Sequence, residues 1–304
     1  MAISRSQLVK ELEPGLNALF GLEYKRYENQ HAEIYTTESS DRAFEEEVML
    51  SGFANAQVKG EGAGVSYDEA QETFTARYSH ETVALAFAIT EEAIEDNLYD
   101  RISSRYTKAL ARSMSNAKQV KSVEPLINGL PSTATFKSGD GVALFSTAHP
   151  TVAGTFKNTL TTQADLNETS LEQSLIDIAA MTDERGLRIA ARGVKMIIPS
   201  ELQFTAERLM KSQGRTATAD NDINAIVSMG MIPQGYRVNN YLTDSDAFYI
   251  ITDVPNGMKM FQRAPLKTAM EGDFDTGNVR FKARERYSFG FSDPRGIFGS
   301  PGAA

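Results

Sequence analysis

Three histidines, His31, His80 and His149, are the only side chains in this chain whose ordinary pKa lies near neutrality, and cysteine is absent. No histidine has a second one at ligand spacing, so a zinc or iron centre would need carboxylates gathered from distant places. His149 is followed by Pro150 and reads as a loop residue fixed by that proline. Gly60-Glu61-Gly62-Ala63-Gly64 has the glycine density of a phosphate loop. It lacks the lysine and hydroxyl residue, precedes no capped helix, and holds an acid where the anion would sit. Asp244, Asp246, Asp253, Asp273 and Asp275 could pair as acid and base, but they fall in turns, where aspartate serves local hydrogen bonding. No G-x-S-x-G elbow is present. No enzyme class, cofactor or metal follows from these residues.

The one chemically distinctive stretch is Arg280, Lys282, Arg284 and Arg286, at alternate positions of a run from Val279 to Phe291. Period-two alternation makes a strand with those bases on one face and Val279, Phe281, Ala283, Glu285, Tyr287, Phe289 and Phe291 on the other. The basic face suits either a polyanion or the acids of a neighbouring subunit. The chain as a whole has 31 Lys+Arg against 40 Asp+Glu, a net charge of −9, which argues against a sequence-reading nucleic-acid binder. With 41% apolar residues it is too rich for a disordered chain. It has no run near the ~20 apolar residues of a membrane span, so no membrane partner is expected. The start, MAISRSQLVKELEPG, has no apolar signal core, which empties the glycosylation pattern Asn167-Glu168-Thr169 of meaning.

The elements that would position these residues follow in order. Residues 1–47 form a helix-prone, thinly apolar arm interrupted at Pro14–Gly15, and residues 1–50 carry five bases against ten acids. Residues 48–87 read as a long hairpin around Gly52, Gly60, Gly62 and Gly64. Phe74, Ala76 and Tyr78 alternate there, as do Val83, Leu85 and Phe87. A lone ribbon of this kind is marginal in water, so it should lie on another subunit. A helix of about 45 Å is expected over 90–124, Thr90 capping it. Ile94, Leu98, Ile102, Tyr106 and Leu110 run down one face, and Pro125 closes it. Its acids precede its bases, complementing the helix dipole. Further on come a helix capped by Asp165 or Asn167, a strand at 194–198, a helix capped by Ser200, and strands at 237–242, 247–252 and 258–261.

This order, with LFSTAHP at 144–150, LEQSLIDIAAMTDERG at 171–186, VKMIIPSEL at 194–202, TAERLMKS at 205–212, YLTDSDAFYIITD at 241–253 and VRFKARERYSFGFSDPRGIFG at 279–299, resembles the major capsid proteins of tailed bacteriophages with the HK97-like fold. The branch it resembles most is the Mu-like major head subunit. The resemblance implies an α+β fold with an N-terminal arm (1–47), an extended E-loop hairpin (48–87), a P domain with the spine helix (88–189), an A domain (190–262) and a return to the P domain (263–304). It implies a non-enzymatic subunit that assembles with itself into hexamers and pentamers of an icosahedral head around double-stranded DNA. The place would be the virion shell, reached from the host cytoplasm.

Because the arm and hairpin begin at once, a separate scaffolding protein is expected, together with a portal and decoration proteins. The expected subunit contacts are Lys59 near the hairpin tip, Phe74 and Tyr78 on the hairpin, and Arg101 and Arg105 on the helix. Nothing in the sequence supports a specific isopeptide bond at Lys59. Two other classes compete: a tail-tube or portal component, or a small acidic α/β enzyme or ligand-binding protein with a concave pocket.

Overall fold

The computed structural model describes residues 5–90, 92, 99–130, 136–137, 139–214, 222–273 and 277–303, with the backbone alone for 5–13 and 99–102. The chain begins with α1 (Arg5–Arg26), then β1 (Thr36–Ser39), β2 (Phe44–Leu50), β3 (Glu72–Ser79) and β4 (Glu81–Ile89). After them come α2 (Tyr99–Ile127), β5 (His149–Thr151), β6 (Gly154–Phe156), α3 (Glu168–Ala179) and β7 (Gly193–Ile198). The remainder is α4 (Gln203–Lys211), α5 (Ala225–Met229), β8 (Tyr236–Val238), β9 (Phe248–Thr252), β10 (Met258–Gly272), β11 (Val279–Phe291) and β12 (Ile297–Ser300).

Two four-stranded sheets organise these elements. The first has the order β1-β10-β11-β4, with β1 parallel to β10 and the other pairs antiparallel. The second has the order β12-β9-β7-β8, in which only β7 and β8 are parallel. Leu171, Leu175, Ile178, Leu209 and Ile226 from its helices pack with Met196, Ile198, Phe248 and Ile250. A second cluster joins the two sheets, placing Ile197, Tyr249 and Ile297 against Met260, Tyr287 and Phe291, with Val123 and Leu126 of α2.

Several expectations change in detail. The helix α1 runs through Pro14 and Gly15 instead of breaking there. An interior proline costs about 3 kcal/mol. Burial of Leu16 and Phe20 against α2 and Phe281 opposes that cost. Pro125 lies inside the last turn of α2, which continues to Ile127. Of the residues expected on the inner face of α2, Leu110 is buried but Tyr106 is exposed. The buried face is instead Leu110, Ala111, Met114, Val123 and Leu126. Thr90 is described, and the start of the helix at 93–98, with Ile94 and Leu98, lies outside the described residues, as does the side chain of Ile102.

The hairpin is built from β2 and β3, paired from Phe44↔Ser79 to Leu50↔Glu72. Val83, Leu85 and Phe87 do form a strand, but β4 pairs with β11 in the first sheet. A single residue, His80, separates β3 from β4, so the chain passes straight from hairpin to sheet. Strand β10 extends to Gly272, far beyond Phe261, with register shifts on either side of Ala264 that accommodate Pro265. Asn167 caps α3 through a reciprocal capping box with Ser170. Ser200 caps no helix, and its hydroxyl donates to Glu201 at 3.0 Å. The final strand, β12, went unread in the sequence. Its Gly299 passes so close to Phe145 that an added Cβ would lie 2.7 Å from the ring.

Candidate functional site

The histidines are held in structural positions. His149 is fully buried beside β6. Its Nδ1 lies 2.7 Å from the Asp140 carboxylate, and its Nε2 is 3.1 Å from both the Leu144 carbonyl and Asn158 Oδ1. The Asn158 amide is oriented by donating to Leu144 O at 2.7 Å and Pro294 O at 2.9 Å and by accepting the Ser146 N–H. The imidazole therefore has oxygen partners at both ring nitrogens and bridges them. It stacks on Phe156, whose ring also carries the Arg295 guanidinium at 4.3 Å. Sealed from solvent and lacking a nucleophile, this Asp–His pair ties segment 140–158 to the C-terminal turn. His149 is not a loop residue: it opens β5, paired with Phe156, and hydrogen bonds and stacking hold it in place. Among the described residues no cluster of three or more metal-ligating side chains occurs.

The root of the β2–β3 hairpin is rich in buried charge. Along β2 the side chains alternate, with Glu45, Glu47 and Met49 facing inward and Phe44, Glu46, Val48 and Leu50 outward. Lys259 of β10, only 7% exposed, sits between Glu47 at 2.5 Å and Glu38 at 3.1 Å. Glu47 also accepts a hydrogen bond from Ser292, and Tyr78 OH lies 2.5 Å from the same hydroxyl. The Tyr78 ring meets Phe261 edge-on at 4.7 Å, and burial raises its phenolic pKa far above the ordinary range. Arg295 is buried with Glu184 at 2.5 Å and reaches Met49 Sδ at 3.7 Å. Charges buried this way are paired and hydrogen-bonded, so they fix where the hairpin leaves the subunit.

His80, at the joint, has Nε2 2.9 Å from Ser40 Oγ and Nδ1 3.0 Å from Ser288 Oγ. Ser40 donates to Glu45, so it accepts from His80, which fixes the neutral ring with its proton on Nε2. Burial, then the nearby Arg286, lowers the His80 pKa, Glu45 opposing and Arg263 assisting.

Beyond that root the hairpin is bare. Residues 51–71 join β2 to β3 without a strand. Leu50, Phe53, Val58, Val65 and Tyr67 are exposed, Tyr67 at 98%. Among the described residues Arg185 ties this loop to the rest of the subunit, donating to Glu69 O at 2.6 Å and approaching Asp68 at 3.4 Å. Several large exposed apolar side chains on one loop suit a surface that another molecule covers.

The sequence-predicted contacts therefore divide. Lys59 is exposed on the loop and Arg105 on α2. Phe74 is half-buried over the pocket beneath the hairpin, beside Met49 and Arg295. Tyr78 is corrected: at 3% exposure it is enclosed by its own chain and anchors the root. The side chain of Arg101 lies outside the described residues. Arg280, Lys282 and Arg284 are exposed and Arg286 is half-buried, all on the face of the first sheet turned away from α1 and α2. The tip residues and the Glu47–Lys259 anchor were missed, although the alternation of Phe44, Val48 and Leu50 with glutamates carried part of the signal. A cleft of about 260 Å³ between β3, β11 and α2 contains the Lys121–Glu81 ion pair and Tyr287, without a catalytic constellation.

The sequence signature described as phage capsid protein matches residues 72–299, three quarters of the chain. The chain belongs to the phage capsid protein family. No curated protein sequence matches it. Among solved structures it is similar to the capsid of an empty GTA particle, with TM-score 0.56 and 15% identity over 90% of this chain and 89% of that one. It is also similar to a virus-like particle from Pyrococcus furiosus, with TM-score 0.55 and 10% identity over 94% and 98% of the two chains. The capsid of Myoviridae phage XM1 gives TM-score 0.53 and 11% identity over 88% and 89%. At these identities the likeness establishes the fold, an α+β architecture related to the HK97-like capsid fold. This family member is a structural protein of a viral shell.

Proposed function

We propose that the protein is the major head subunit, assembling through hexamers and pentamers into an icosahedral shell around double-stranded DNA. The observation that carries this is the contrast within the hairpin. Its root is locked into its own subunit by Glu47, Lys259, Tyr78 and Arg295, while its outer face and tip leave apolar side chains in solvent. A rigid base with a bare end is what an E-loop laid over a neighbour requires. The helix α2 then serves as the spine of a P domain with the first sheet, and the second sheet forms the core of an A domain. Lys59, Phe74, Arg101 and Arg105 are contact residues in this reading, and the Mu-like branch is its finer assignment. Assembly would take place in the host cytoplasm with a separate scaffolding protein, a portal and decoration proteins.

Negative-stain microscopy of the purified protein tests this directly. Closed particles, or discrete hexamers and pentamers, are expected; tubes or open rings would favour a tail-tube or portal component, and a small monodisperse species would defeat both. Deleting 55–75 should leave a folded subunit that forms no shells. Normal particles from that deletion would sink the E-loop assignment.

A further inference from the structure

The two faces of the first sheet differ in what covers them. Phe281 and Ala283 of β11 lie under α1 and α2, joined by Val83 and Phe87 of β4 and Leu266 and Met270 of β10. The opposite face carries Arg280, Lys282, Arg284 and Arg286, with Lys267 of β10 in register with Arg284. On β4 their cross-strand neighbours are Ala88, Ala86, Ala84 and Thr82. The face is thus a row of cations about 7 Å apart beside a floor of exposed alanines. Among the described residues the side chains of Lys267, Lys282 and Arg284 have no ion pair or hydrogen bond, whereas that of Arg280 is held by Asp273.

The chain also contains a complementary segment. Between Lys59 and Arg77 there are four acids, Glu61, Asp68, Glu69 and Glu72, and no base. Most of this stretch belongs to the loop without a strand, and the side chains of Glu61, Glu69 and Glu72 are exposed and unpaired among the described residues. We propose that the acidic limb 60–72 of a second copy seats across the alanine floor of β4, its carboxylates meeting Lys282, Arg284 and Lys267. This rests on the hairpin reading above and names the surface on which the hairpin lands.

Three observations favour a protein segment over a nucleic acid. The net charge of −9 repels a polyanion at long range. Glu271, in register with Arg280, and Asp273 place two carboxylates at one end of the row. A continuous phosphate backbone would run into them, while a short acidic segment can stop before them. The alanines let a backbone approach this part of the sheet closely, and the large apolar residue of this face, Phe261, lies beyond the row under Tyr78. Docking here is therefore driven by charge and weakens with salt.

The test uses the full-length unassembled protein and a labelled peptide of residues 58–73. Wild-type protein should bind it, K282E/R284E should lose roughly tenfold or more, and the E61K/E69K peptide should bind the reversed protein better than the wild type. In the intact chain K282E/R284E should block shells and adding E61K/E69K should restore them. Peptide affinity unchanged by K282E/R284E overturns the proposal. So does normal assembly of that variant with reduced affinity for duplex DNA, which would hand the face to a polyanion. If deleting 55–75 blocks shells while K282E/R284E assembles normally, the hairpin reading stands and the seat falls. Normal shells from the deletion remove both.

Discussion

The two faces of β11 are made by alternate residues of one strand, yet they are stabilised in opposite ways. On the covered face even the charge is enclosed. Glu285, 2% exposed, accepts from Tyr24 OH at 3.0 Å and pairs with Lys118 at 3.4 Å, and Lys118 also lies over the Tyr287 ring. On the bare face Arg280, Lys282 and Arg284 stand in water with one ion pair, that of Arg280 with Asp273, and Arg286 is half-buried. The covered face holds the subunit together, while the stretch of the other face around Lys282 and Arg284 makes no side-chain ion pair among the described residues and is free for assembly. Substitutions at neighbouring positions should therefore separate folding from shell formation.

The largest effect is expected at Phe281, which is 1% exposed and contacts the rings of Phe20 and Phe87. Phe281→Ala should cost about 3–5 kcal/mol in denaturant unfolding, through lost burial and the cavity left behind. A value below about 1 kcal/mol would mean that α1 and α2 do not seal this face. Glu285→Ala comes next, at about 3 kcal/mol, because it strands the Lys118 ammonium in a buried site. Lys118→Met in the same chain should recover much of that loss by removing the unpaired charge. Additive losses in the double variant would show that the pair does not act as a unit.

His31 gives the covered side a pH signature. It is 6% exposed, its ring meets Phe289 edge-on, and burial, with Lys118 nearby, pushes its pKa down to about 4. The folded state thus holds fewer protons than the unfolded one between that value and the ordinary 6.5. Its contribution is complete above pH 6.5 and is lost as pH falls towards 4, by up to about 3 kcal/mol. Unfolding free energy measured from pH 7 to 4 should lose that component in His31→Gln. His80 shifts in the same direction, so His80→Gln should flatten the acid sensitivity of exchange protection at the hairpin root. An unchanged pH profile in both variants would separate these rings from acid stability.

How much of this was legible depended on whether a signal was local. The β11 alternation holds from Val279 to Arg286 because one covered and one bare face imposes period two, with Glu285 on the apolar side as read; beyond it Ser288 and Gly290 are also buried, against the hairpin root. Asn167 could be read as a cap because the bond closes within three residues. The β10 extension could not, since Pro265 reads as a breaker and only pairing with β11 carries the strand past it. Pro14 misled for the same reason: the packing that retains α1 comes from residues more than 90 positions away. At the hairpin, Tyr78 alternated like a contact residue, but its partners Phe261 and Ser292 are remote in sequence, so anchor and contact looked alike. The bare tip is legible as glycine-rich and polar; its exposed aromatics emerge only when no internal partner is found for them.

The smallest effect on folding is also the sharpest test of the comparison. Lys282→Ala with Arg284→Ala removes two exposed cations that have no partner among the described residues and flank one another on one strand face. Surface substitutions of this type usually change stability by less than about 0.5 kcal/mol. Here the sign should be neutral or slightly stabilising, because like charges at alternate strand positions repel. The melting temperature of the unassembled subunit should therefore stay within a degree or two of the wild type. Shell yield at low salt should drop well below wild type in the same preparation. A parallel loss of melting temperature would mean that the bare face is used inside the subunit after all, and the division between the two faces of β11 would collapse.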